Sequence, residues 1–129
     1  MTHEEVLAGE ERLRSGKSVL DVGCHAGFYA LEAERRGAAR VVGIDAQRFV
    51  IQQALFVGQV LGRGIEFRRM SVDDLKPHTM GRFEITLALE LIYHCKHLVR
   101  ALENLWLVTK DLLIIETAVY PRRERTGLL

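Results

Sequence analysis

"VLDVGCHAGFYALEAERRGAARVVGID", residues 19–45, holds two apolar, β-branched runs that each end in an aspartate, Asp21 and Asp45, with a glycine-bearing turn and a charged stretch between them. The first run is closed by Gly23 and reads as a buried strand. "GFYALEAERRG" then sets apolar Phe28, Leu31 and Ala33 against Glu32, Glu34, Arg35 and Arg36, a helix that Gly37 stops. "RVVGID" is a second buried strand, so the opening stretch is strand, turn, helix, strand. The same rhythm continues. "QRFVIQQALFVGQVLGR" has helical spacing despite Gly58, and "IEFRRM" is a third strand. "SVDDLKPHTMGR" is rich in turn residues, and "FEITLALEL" is a fourth strand. "KHLVRALENLWLVT" is a helix with Leu98, Leu102, Leu105 and Trp106 on one face, Trp106 being expected in the core, and "DLLIIETAVY" is a fifth strand. Ahead of all this, residues 3–14 read as a short amphipathic leading helix that packs across the sheet.

Strands that alternate with helices predict βαβ units, hence an α/β fold: a three-layer, Rossmann-like parallel sheet of about five strands with helices on both faces. Ligands of such sheets lie beyond the carboxyl ends of the strands, near the point where strand order reverses. That rule places the Asp21 turn, Asp45, the loop from Ser71 to Asp74 and the segment from Glu90 to His94 along one edge.

The turn itself selects a ligand class. Glycine lets a ligand approach the backbone because no Cβ intervenes. A dinucleotide site needs glycine at three fixed positions to seat a pyrophosphate on the helix N-terminus. Here the middle position is His25 and the third is Phe28, and Asp21 precedes the turn, where its charge repels a pyrophosphate and attracts a cation. The pattern therefore fits a positively charged ligand, with Asp45, 24 residues past Asp21, placed to accept hydrogen bonds from ribose hydroxyls.

Composition narrows the rest. The 129 residues suit one domain, spanning residues 1–129, and 48% hydrophobic content supports a core. A formal charge of +1 gives no global footprint for non-specific nucleic-acid binding, and Arg122, Arg123 and Arg125 read as a solvated tail. Cys24 and Cys95 are unpaired in spacing. With a charged N-terminus and no membrane-length apolar run, the chain reads as cytoplasmic with no membrane partner. His94-Cys95-Lys96-His97 brings metal-binding residue types together, but no second spaced pair accompanies them, so no metal is expected.

Residues 19–45 resemble the D-x-G-x-G-x-G motif of the class I, Rossmann-like methyltransferases that use S-adenosyl-L-methionine (SAM), a ligand with a sulfonium, an α-ammonium and no phosphate. "FEITLALELIYHCKHLVRALENLWLVTKDLLIIET" is similar to the later part of the group that includes the tRNA wobble-uridine carboxymethyltransferases, with Ile92-Tyr93-His94 after strand four and Leu113-Ile114-Ile115-Glu116-Thr117 in strand five. The resemblance runs from about Ser18 to Tyr120. It implies that Asp21, Gly23 and Gly27 serve the amino-acid end of SAM, with Cys24 and His25 in the same turn. It gives Asp45, with neighbouring Ala46, to the ribose, and Ser71, Val72 and Asp73 to the adenine. Glu90 completes the cofactor set, and Tyr93 and His94 line the cleft, where His94 serves as a base or orients the acceptor. Cys24 reads as a small buried residue rather than a nucleophile.

Three positions depart from the family pattern. His25 replaces a glycine, Ser71 stands where an acid contacts adenine, which leaves Asp73 or Asp74 to substitute, and Glu84 replaces aspartate at the start of strand four. The family sheet has seven strands, and the residues after Tyr120 are too few for two more. The expectation is a sheet lacking the usual sixth and seventh strands, in a piece of a longer protein or a short form whose exposed fifth-strand edge pairs two copies into a homodimer. The function implied is methyl transfer from SAM to a small molecule or RNA. The alternatives are a non-catalytic SAM-binding or assembly module and, on the fold alone, a nicotinamide-dependent reductase.

Overall fold

In the computed structural model, residues 16–89 and 91–118 are described, apart from the side chain of Tyr93. The leading helix expected at residues 3–14, the arginine cluster after Pro121 and Glu90 lie outside the described residues. The β-branched runs become strands β1 (Ser18–Val22), β2 (Arg40–Asp45), β3 (Glu66–Arg69), β4 (Phe83–Leu89) and β5 (Thr109–Glu116). All pair in parallel in the order β3-β2-β1-β4-β5. Helices α1 (Phe28–Arg35), α2 (Arg48–Val60), α3 (Pro77–Met80) and α4 (Leu98–Leu107) connect them. Among the described residues no sixth or seventh strand is present, and no helix is long and apolar enough to cross a membrane. The five-stranded Rossmann-like sheet is therefore as the sequence predicts.

Side-chain alternation divides the core in two. Val19, Val41, Ile85, Leu87 and Ile114 face α1 and α2 on one side. Leu20, Val22, Val42 and Ile44 pack on the other side against Met80, Ala101, Leu105 and Val108, from α3, α4 and the turn after it. This is the period of two expected of strands buried on both faces.

The helices correct the sequence reading in three places. In α1 the buried residues are Ala30 and Ala33, whereas Phe28 is exposed. Small side chains allow this helix to lie close to the sheet. In α4 the buried stripe is Ala101, Asn104 and Leu105, so Leu98 and Leu102 fall outside it and Trp106 is 71% exposed. The three-to-four-residue repeat that starts at Ala101 rotates Trp106 off the core face. The turn-rich stretch after β3 contains a single 3-10 turn, Val72–Asp74, and then α3, which Pro77 initiates with its fixed φ.

One aromatic ring excludes a Cβ at two glycines and makes only ordinary contact at a third. Phe67, on β3, lies against Gly43 of β2, so that a Cβ at position 43 would stand 2.7 Å from its Cδ1 and 3.1 Å from the Cys24 Sγ. A Cβ at Gly27 would stand 2.8 Å from the same ring, and one at Gly58 3.5 Å. Gly58, an expected weakness of α2, is thus buried where the helix crosses Phe67.

At the far end of the sheet, Glu84 accepts hydrogen bonds from the Ser18 amide (2.8 Å) and hydroxyl, and its own amide donates to the Ser18 Oγ at 3.1 Å. The bond from the Ser18 amide chiefly holds its carboxyl below the usual range. The glutamate that departs from the family pattern therefore ties β1 to β4.

Because Gly43 has an ordinary φ, its requirement for glycine is one of space alone. Gly43→Ala is expected to cost about 2–3 kcal/mol by overpacking, and about 1 kcal/mol or less when Phe67→Leu has first removed the ring. Urea unfolding of the two single variants and the double variant measures the coupling; equal costs in both backgrounds would contradict the packing account.

Candidate functional site

The site begins where β1 ends. Gly23 and Cys24 both donate backbone N–H bonds to the Ile44 carbonyl, at 2.8 and 2.9 Å, which folds the turn onto the tip of β2. Gly23, His25 and Gly27 take positive φ of 73°, 50° and 92°. The histidine occupies left-handed backbone that glycine adopts freely and that histidine enters more often than most residues. Gly27 is the N-cap of α1, and the Gly27 amide donates to the Cys24 carbonyl at 2.9 Å.

Asp45 fastens this turn from the other side. Its Oδ2 accepts the His25 N–H at 3.1 Å and its Oδ1 the Gln47 N–H at 2.9 Å, while its own carbonyl accepts the Met70 N–H at 3.0 Å. The second bond is an Asx turn that ends one residue ahead of α2 and leaves the helix itself without a side-chain cap. Each oxygen keeps a further lone pair for a donor in the cleft.

Two cavities open beyond the strand ends, at the switch point where β1 is flanked by β2 and β4. The larger, about 410 Å³, is walled by Gly23, His25, Asp45, Ala46 and Gln47 on one side, by Met70, Ser71, Val72 and Asp73 below, and by Leu91, His94, Cys95 and Lys96 opposite. The smaller, about 270 Å³, is lined by Asp21, Gly23, Cys24, His25, Ala26, Phe28, Tyr29, Leu89 and Glu116. Gly23 and His25 line both, so the two cavities lie on either side of the turn and share it as a wall.

Electrostatics differ between the halves. Asp21 is 1% exposed and its Oδ2 has no hydrogen-bond partner. Burial pushes its carboxyl up to about 7, hydrogen bonding from the Ala30 amide works against that rise, and the charge of Asp45 adds to it. Burial, with the charges of Asp21 and Asp45, also pushes the Cys24 thiol up, which leaves it protonated and a poor nucleophile. In the larger cavity the floor is a capped turn: the Ser71 Oγ accepts the Asp73 N–H at 3.2 Å. Ser71, which replaces an expected acid, thus shapes the backbone, and Asp73 supplies the carboxylate of that wall.

The structure brings together nearly every residue singled out from the sequence. Gly23, His25, Asp45, Ala46, Ser71, Val72, Asp73 and His94 share the larger cavity, and Asp21 and Cys24 lie in the smaller. Gly27 lines neither; its missing Cβ makes room for Phe67 rather than for a ligand. Tyr93 is in the 3-10 turn Ile92–His94, but its side chain, like all of Glu90, lies outside the described residues. Sequence reasoning missed Gln47, Met70, Leu91, Cys95 and Lys96 in one cavity and Ala26, Phe28, Tyr29, Leu89 and Glu116 in the other. Gln47 and Met70 adjoin recognised positions, and Glu116 sits in a recognised strand-five element, whereas the apolar walls carry no local signal. Among the described residues no group of three or more His, Cys, Asp or Glu side chains is placed to hold a metal ion.

Known proteins resemble this chain in sequence and in fold. The family described as a methyltransferase domain matches residues 19–111. The tRNA U34 carboxymethyltransferase of Campylobacter hominis is 31% identical over 90 residues, which are 70% of this chain and 31% of that protein. The ubiquinone biosynthesis O-methyltransferase of Acinetobacter baylyi is 37% identical over 81 residues, 62% of this chain and 34% of that one. The chain spans about a third of the length of these curated relatives. A SAM-dependent methyltransferase from Aquifex aeolicus superposes with a TM-score of 0.76 at 24% identity, covering 96% of this chain and 68% of its own, a likeness of fold. With the family match running from β1 into β5 and the sheet order, glycine turn and strand-tip acid all in place, the chain belongs to the methyltransferase domain family and carries the class I SAM-dependent methyltransferase fold.

Proposed function

We propose that residues 1–129 form a single SAM-binding domain and that its activity is transfer of the SAM methyl group. One observation carries this: two neighbouring cavities with an acid in each, Asp45 in the larger and Asp21 in the smaller, that share Gly23 and His25. SAM has the matching plan, a ribose diol on one side of its sulfonium and an α-ammonium on the other. The nucleoside fills the larger cavity, with ribose hydroxyls donating to Asp45 beside Ala46 and the base against Ser71, Val72 and Asp73. The amino-acid tail turns over Gly23 and His25 toward Asp21. Both volumes are of the order expected for small-ligand subsites.

Methyl transfer from a sulfonium needs alignment more than acid–base help. His94, which lines the larger cavity, is assigned to orient an acceptor or take its proton, and Tyr93 joins it on the family resemblance alone. The relatives act on a tRNA and in ubiquinone biosynthesis, so the acceptor classes to consider are RNA and small molecules. The alternative of a binding module without turnover is separated by following S-adenosylhomocysteine formation against RNA and small-molecule acceptor pools, where any sustained turnover would exclude it.

Binding is tested by calorimetric titration of SAM. Asp45→Ala removes a charged acceptor of the ribose and is expected to weaken binding about 10- to 100-fold. Equal affinity in the wild type and a folded Asp45→Ala variant would remove the ribose assignment.

Asp21 supplies a pH signature. Its folded pKa, about 7, lies above the ordinary aspartate value of 3.8, so the folded state holds a proton that the unfolded chain has lost between these values. The associated stability is complete below pH 4 and disappears as pH rises toward 7, a fall on the order of 4 kcal/mol. Asp21→Asn is expected to flatten that part of the stability curve. A cationic tail favours the ionised carboxylate, so wild-type affinity for S-adenosylhomocysteine is expected to rise with pH between about 6 and 8, with proton release on binding, and that rise is expected to vanish in Asp21→Asn. Persistence of the rise in the variant would place the cation elsewhere.

A further inference from the structure

Helix α4 buries an amide where its pattern calls for an apolar side chain. Ala101, Leu105 and Val108 are fully buried around Asn104, which is itself 2% exposed. Burying an amide is unfavourable unless its hydrogen bonds are met. Here they are: Nδ2 donates to the Val72 carbonyl at 2.9 Å and to the Asp73 carbonyl at 3.1 Å, and Oδ1 accepts from the Lys76 Nζ at 2.9 Å. Because both carbonyls accept only, the amide has one workable orientation.

Those bonds cross 31 and 32 residues of chain to reach the floor of the larger cavity. The opposite wall, Leu91 with His94 to Lys96, runs directly into α4, whose first turn it anchors through the Ala101 N–H to His97 carbonyl bond of 3.0 Å. Asn104 therefore joins two walls that come from different parts of the sequence. Resting on the SAM-binding reading above, we propose that Asn104 is a positioning residue for the nucleoside half of the site, setting the spacing between the Ser71–Asp73 turn and the segment that carries His94. It touches no ligand itself. Lys76 completes the amide's bonding and bears on neither carbonyl of the turn.

The test uses adenosine, which has only the nucleoside half, and S-adenosylhomocysteine, which has both. Asn104→Asp keeps the shape and the Lys76 partner but turns an acceptor toward two carbonyls. Lys76→Met removes the partner and leaves both donors in place. Titrations are run well below each variant's unfolding midpoint, with circular dichroism confirming the fold, so that a purely structural role leaves the affinity of the folded protein unchanged. Asn104→Asp is expected to weaken adenosine and S-adenosylhomocysteine by the same factor, about 10-fold or more, and Lys76→Met to stay within about 2-fold of wild type. If Asn104→Asp does not fold, Asn104→Leu, which removes both donors without adding a charge, replaces it with the same expected losses. A folded position-104 variant with wild-type affinity for both ligands would overturn the proposal, as would a Lys76→Met loss equal to it. Wild-type protein that bound neither ligand would instead overturn the SAM reading, and the proposal with it.

Discussion

The two cavities at the strand tips depend on a carboxylate that holds the backbone. Asp45 accepts the His25 amide on one oxygen and the Gln47 amide on the other, and so fixes the β1 turn to the start of α2. The Ile44 carbonyl adds two bonds from Gly23 and Cys24. Without this clasp the two cavities would lose their common wall, because both are built on Gly23 and His25. Loss of this one carboxylate would release the His25 and Gln47 amides together.

Much of the architecture is legible in the sequence because it follows from local signals. Strand, glycine turn and helix can be read from Val19 to Gly37, and the alternation of elements leads to a parallel sheet whose order, β3-β2-β1-β4-β5, puts the acids on one edge. The acid-bearing turn likewise indicates a cationic ligand from spacing alone. What is not legible depends on partners distant in the chain. Gly27 looks like a ligand-facing glycine, yet the space it leaves is taken by Phe67, 40 residues on. Trp106 looks like core until the helix phase is set by Ala101, Asn104 and Leu105. Asn104 has no local signature at all, since its partners are the Val72 and Asp73 carbonyls and Lys76.

His25 illustrates how a departure from a family pattern is absorbed. Its φ of 50° lies in the left-handed region, which its neighbours Gly23 and Gly27 also use. The bond from its amide to Asp45 holds the backbone there, and the side chain then stands at the junction of the two cavities. A position that needs no side chain for backbone reasons has thereby acquired one where the sulfonium of SAM would pass.

The most direct test of the account is a crystal structure of the protein with S-adenosylhomocysteine. The account places the ribose hydroxyls on the Asp45 carboxylate, the adenine between the Ser71–Asp73 turn and the His94–Lys96 segment, and the amino-acid tail over Gly23 toward Asp21. Ligand seated away from the β1 and β2 tips, or oriented with its tail in the larger cavity, would contradict it.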